Sequence, residues 1–196
     1  MKDIKISNSA LIVVDMQNDF LPGGSLAIPN ADTIIPVINE YIRFFETQGL
    51  PVVYTRDWHP EDHLSFKENG GQWPRHCVQN TPGSEFHHNL YFPKNYIIIS
   101  KAYEPQLEAY SGFQSTDLDQ KLKDMNIENL FVCGVATDYC VFHTVMDAIR
   151  LGYKVYLLVD AIRGVDLNPN DSEEAIKKMI NAGVELIVFE ELFQAV

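Results

Sequence analysis

Asn129-Leu130-Phe131-Val132-Cys133-Gly134-Val135-Ala136-Thr137-Asp138-Tyr139-Cys140-Val141-Phe142-His143 reads as an apolar strand that runs straight into a helix. The run Leu130 to Cys133 is continuous rather than alternating, which suits a strand buried on both faces, and the helical pattern continues to about residue 151. The same unit recurs along the chain. Strands are predicted over 10–14, 51–55, 96–100, 129–133, 154–159 and 185–189, with helices over 32–48, 117–125, 138–151 and 172–181. Asp171 with Glu174 reads as a capping pair, and Gly152 and Gly183 stand where helices should stop. Strands alternating with helices predict an α/β fold: a three-layer, Rossmann-like arrangement with a mostly parallel six-stranded sheet covered by helices on both faces.

In such a sheet, chemistry gathers just past the carboxyl ends of the strands. Asp15, Asp57, Lys101 and Cys140 all fall there. Cys140 would sit in the first turn of a helix, where free backbone N–H groups favour a thiolate and could receive an oxyanion. A buried cysteine is more often a small hydrophobe, and that reading is kept for Cys133 and Cys77. Cys140 differs because Asp15 could serve as its base and Lys101 as its charge partner. An ordinary thiol is mostly protonated at neutral pH, so the sequence leads us to expect Lys101 and the helix terminus to pull Cys140 toward thiolate. His143, one turn on, could form a rival Cys-His dyad, but it would point along the helix and better suits packing.

Two connections are unusually long, about 58–95 and 102–116, and the first carries His59, His63, Trp73 and His76. It reads as a lid and metal-binding loop. Asp57 and His59, two apart in an extended segment, face the same way, and His76 could join them from another limb of the loop. Two imidazoles and a carboxylate suit one divalent ion, Zn²⁺ first, with Fe²⁺ or Mn²⁺ as alternatives. His63 is a further candidate ligand. His87 and His88 read as solvent-facing.

Composition narrows the rest. The chain has 196 residues, 46% of them hydrophobic, with no shift of composition along it, and this predicts one domain over 1–196. Fifteen basic against 27 acidic residues give a net charge of −12, which disfavours nucleic acid and anionic membranes as partners. Neither a secretion signal nor a spanning segment is read, so a cytoplasmic protein with reduced thiols is expected.

Four blocks carry a family resemblance: Asp15-Met16-Gln17-Asn18-Asp19-Phe20-Leu21-Pro22-Gly23-Gly24-Ser25-Leu26, Asp57-Trp58-His59-Pro60, Trp73-Pro74-Arg75-His76-Cys77-Val78 and Gly134-Val135-Ala136-Thr137-Asp138-Tyr139-Cys140-Val141. With Lys101 and Asp160-Ala161-Ile162-Arg163-Gly164-Val165, they resemble the nicotinamidase/pyrazinamidase branch of the isochorismatase-like cysteine hydrolases. The resemblance implies Cys140 as nucleophile, Asp15 as proton acceptor and donor, Lys101 as the charge holding them, and Asp57, His59 and His76 as metal ligands. It also implies an oxyanion hole from the backbone N–H groups of Ala136 and Cys140, shaped by a cis bond between residues 135 and 136. Phe20, Trp73, Tyr110 and Tyr139 match or adjoin its pocket and could sandwich a flat ring. The implied activity is metal-dependent hydrolysis of nicotinamide to nicotinate and ammonia in NAD salvage, with pyrazinamide as a second substrate. A related amidase for a small carbamoyl or ureido compound is the rival, and a homo-oligomer is left open.

Overall fold

The computed structural model describes residues 4–194. Its sheet has six strands in the order β3-β2-β1-β4-β5-β6, every neighbouring pair parallel. These are β1 (Ser9–Val14), β2 (Val52–Asp57), β3 (Ile97–Lys101), β4 (Asn129–Val135), β5 (Lys154–Arg163) and β6 (Glu185–Ile187). Helices α1 (Ile35–Thr47), α2 (Leu118–Asp124), α3 (Phe142–Arg150), α4 (Asp171–Asn181) and α5 (Phe189–Gln194) connect or follow them.

The two central strands, β1 and β4, are buried at every position, as their unbroken apolar runs require. Successive β1 side chains alternate between two cores. Leu11 and Val13 join Ile38, Tyr41, Ile42 and Phe45 of α1 and Leu192 of α5 on one face. Ala10, Ile12 and Val14 join Leu122 of α2, Val145 and Ala148 of α3 and Met179 of α4 on the other. This is the three-layer arrangement that the sequence predicts.

Boundaries shift where polar residues enter strands. β2 and β3 extend to Asp57 and Lys101, which pair in register, so both charged groups stand on the sheet rather than beyond it. The predicted strand over 185–189 stops at Ile187, and the amphipathic residues after it form α5. The expected Asp171 capping pair is absent. Asp171 instead accepts from the N–H of Asn168, and Asp166 takes the N–H of Ser172.

The segment 58–95 is a packed wall more than a free lid. Its limbs fold back on each other through short bridges, His59 beside Val78 and Phe66 beside Trp73. Phe66, His63 and Cys77 are completely buried. The second long connection is tied to it by the N–H of Leu64 donating to the carbonyl of Pro105 (2.9 Å).

Candidate active site

The strand order reverses between β1 and β4, because the chain leaves β1 toward β2 and leaves β4 toward β5. A crevice opens at such a switch point, past the carboxyl ends of the strands. Asp15 turns the chain there with φ 50°, and Cys140 arrives from β4 through a wide turn of π type, Thr137–Val141. Gly134 makes this approach feasible: a β-carbon there would stand 2.1 Å from the carbonyl oxygen of Val14, and its φ is +109°. The Val135–Ala136 peptide is cis. The carbonyl of Ala136 accepts from the N–H groups of both Tyr139 and Val141, which closes the turn around the sulfur.

Lys101 is the hub. Its fully buried Nζ lies 2.8 Å from Asp15 Oδ2, 2.5 Å from Asp57 Oδ1 and 3.4 Å from Cys140 Sγ. Carboxylate oxygens of Asp15 and Asp57 and the sulfur fall within 4.8 Å of one another. Thr55 Oγ1 donates to the other Asp15 oxygen at 2.7 Å. Burial works against the Lys101 charge, but the two carboxylates hold its pKa well above the usual range. Burial raises the Asp15 pKa, with Lys101 opposing and Asp57 adding to the rise.

The net shift of the Cys140 pKa is upward rather than toward thiolate. Burial pushes the Cys140 thiol well above its usual pKa, and although Lys101 pulls it down, Asp15 and Asp57 add to the rise. The geometry places the Cys140 thiol within reach of a carboxyl group that can exchange its proton.

On the far side of Asp57 stand the two imidazoles. Asp57 Oδ2 is 3.9 Å from His59 Nε2 and 3.8 Å from His76 Nε2. His59 Nδ1 lies 2.9 Å from the carbonyl of His76, and His76 Nδ1 lies 2.8 Å from the carbonyl of Pro74. A ring nitrogen facing a carbonyl carries the proton, so each Nε2 lone pair is left to converge with the carboxylate. That donor set fits a divalent cation. Burial lowers the His59 pKa to about 4, which keeps the imidazole neutral as a ligand must be. Burial tends to raise the Asp57 pKa, yet Lys101, His59 and His76 bring it down to about 2.

His63 stacks on His59 with ring centroids 4.2 Å apart. Its Nε2 lies 2.9 Å from the carbonyl of Leu107 and its Nδ1 2.7 Å from Ser65 Oγ, so both nitrogens are engaged away from the converging set. His143 stacks on Tyr110 rather than reaching the sulfur, and His88 is exposed.

Phe20, Trp73, Tyr110 and Tyr139 line one small cavity with Ala136, Cys140, Asp57 and His76. Trp73 Nε1 donates to the Tyr110 hydroxyl at 3.0 Å, which joins the two long connections across the opening. Three supporting residues escaped the sequence reading. Gln17 brackets the main chain of Asp57, accepting from its N–H and donating to its carbonyl, both at 2.8 Å. Thr55 holds Asp15, and Glu108 brings a carboxylate within 4.8 Å of ligand-type atoms of His59 and His63. Gln17 had one visible signal, a polar side chain two residues beyond Asp15 at the end of an apolar strand.

The isochorismatase domain model matches residues 9–191. The Escherichia coli nicotinamidase is 40% identical over 198 residues, covering 90% of this chain and 93% of that protein. The structure of the Pyrococcus horikoshii pyrazinamidase in complex with zinc superposes with a TM-score of 0.89 at 53% identity, covering 93% and 99% of the two chains. That of PnC1 from L. infantum in complex with nicotinate gives 0.86 at 35% identity, covering 94% and 96%. The chain belongs to the isochorismatase family, in its nicotinamidase/pyrazinamidase branch.

Proposed function

We propose that this protein hydrolyses nicotinamide to nicotinate and ammonia through a thioester on Cys140, and accepts pyrazinamide as a second substrate. One observation carries this reading: the Lys101 ammonium touches Cys140, Asp15 and Asp57 together, binding a nucleophile and its base to a ligand set beside an aromatic-walled cavity. In the first step Asp15 takes the thiol proton as sulfur attacks the carboxamide carbon. The oxyanion is received by the backbone N–H groups of Ala136 and Cys140. Asp15 then gives its proton to the departing nitrogen, and ammonia leaves. Water, deprotonated by Asp15, attacks the thioester; the acid departs and the sulfur regains a proton.

Lys101 keeps Asp15 oriented and compensates the negative charge that passes between sulfur and carboxylate. Asp57, His59 and His76 would hold a divalent cation, Zn²⁺ for preference, which when bound supplies an electrophilic anchor for a ring nitrogen. Phe20, Trp73, Tyr110 and Tyr139 would flank the ring. The cavity they line measures about 30 Å³.

Ammonia release from nicotinamide by the metal-replete protein tests the proposal, with Cys140→Ala and chelator-treated samples as controls. Release that both controls abolish is expected. No release from the parent overturns the reading, and release from carbamoyl amides alone transfers it to the rival substrate class.

A further inference from the structure

Asp138 lies two residues before Cys140, and both oxygens of its carboxylate are engaged by main-chain N–H groups. Oδ1 accepts from the N–H of Val165 and Oδ2 from the N–H of Asp166, both at 2.8 Å. Val165 lines the same cavity as Cys140 and Tyr139. The segment that carries it follows β5 and belongs to no strand or helix, and from Asp166 to Asn170 it is exposed. Asp138 is therefore the clamp that joins a wall of the cavity to the turn holding the nucleophile.

Two further contacts show how tightly the clamp is set. Asp166 accepts from the N–H (2.7 Å) and Oγ (3.0 Å) of Ser172, so the strap is anchored at its far side to the start of α4. At Gly164 a β-carbon would stand 1.7 Å from Ser172 Oγ and 3.1 Å from Asp138 Oδ1. A side chain at 164 would displace the Ser172 hydroxyl from this contact. The position of the Val165 side chain is thus fixed by two carboxylates that themselves do not line the cavity.

We infer that Asp138 is a positioning residue for substrate selectivity: through its two main-chain hydrogen bonds it holds Val165 against the ring site and so excludes substituted rings. The inference rests on the function proposed above. A one-methyl difference at a fitted apolar wall changes selectivity by about tenfold or more, provided that the wall cannot retreat. Loosening the clamp lets it retreat although no cavity-lining atom is changed.

The experiment measures kcat/KM for nicotinamide and for its 5-methyl and 6-methyl derivatives in the parent, Val165→Ala, Asp138→Ala and the double variant. Asp138→Asn is added in case the alanine variant folds poorly. The preference for nicotinamide over at least one methylated ring should fall about tenfold in Val165→Ala and similarly in Asp138→Ala, with no further fall in the double variant, since the two act through one wall. Amide hydrogen exchange at residues 165 and 166 should quicken in both Asp138 variants, a readout that needs no substrate. Equal losses on all three amides, with the preference unchanged within about twofold, would leave Asp138 a scaffold residue and overturn the inference. Unchanged exchange overturns it equally. A parent that releases no ammonia from any of the three overturns the proposed function instead, which the exchange measurement separates from failure of the clamp.

Discussion

At the amino ends of the strands lies an open groove of about 720 Å³, walled by Leu50, Pro51, Tyr96, Ile97, Met125 and Ile127. At the carboxyl ends the cavity is about 30 Å³. The larger space has no converging chemistry: Glu46, its acidic wall residue, is occupied by the N–H of Lys94 and the hydroxyl of Tyr91. The smaller one is lined by Cys140, Asp57 and His76, and Asp15, Lys101 and His59 stand against these, so groups from four strand ends and a loop meet beside it. Volume is therefore a poor guide to function here, and strand polarity a good one. In a parallel sheet every strand delivers its last residue to the same side, so groups from distant sequence positions meet there and nowhere else.

The sharpest break of this contrast is at the sulfur. Cys140→Ala should lower nicotinamide hydrolysis by about 10⁴-fold or more, measured by ammonia release with the folded state checked by circular dichroism. Retained activity would mean that another group attacks, and the carboxyl-end reading would fail.

Next comes Lys101→Met. It removes the side chain that bridges Asp15, Asp57 and Cys140 and leaves two buried carboxylates uncompensated, at a cost of about 3–5 kcal/mol in urea unfolding at pH 7. The loss should shrink as pH falls and the carboxylates take up protons.

A third test uses pH on metal-free protein. His59 titrates at about 4 when folded against an ordinary 6.5. Below 6.5 the unfolded chain gains a proton that the folded one refuses, so stability falls as pH drops from 6.5 to 4, by roughly 3 kcal/mol. Asp57 adds a further loss only lower down, as pH falls from 3.8 toward its folded value of about 2. Urea unfolding midpoints across this range check the sign, and His59→Gln should flatten the upper part of the curve. The smallest effect belongs to the groove: Met125→Ser, at a residue 36% exposed, should change stability by no more than about 0.5 kcal/mol and leave ammonia release unaltered.

The legibility of the site followed chemical type. Asp15, Asp57, Lys101 and Cys140 could be found because each is a polar residue at the end of an apolar run, where an unpaired charge would be costly. Gln17 and Thr55 were missed because their work is done by hydrogen bonds to a partner about 40 positions away, and neither residue type is out of place near a strand end. Asp138 was missed for a like reason, its partners Val165 and Asp166 standing 27 and 28 positions away. The upward direction of the Cys140 shift was not legible because a pKa sums every nearby charge with burial, and the count of neighbours is a property of the fold.

By itself the sequence determined the alternation of strands and helices, the two-faced burial of β1 and β4, the family, and the residue types available for catalysis and metal binding. These follow from periodicity and local order, which adjacent residues encode. Only the tertiary structure decided that Lys101 joins three partners at once, that His63 turns to Leu107 while His59 and His76 converge on Asp57, and that the long connection packs as a wall. The reason is physical: distances of a few ångströms between residues tens of positions apart are set by strand order and by which surfaces bury each other, and no short stretch of sequence contains that information.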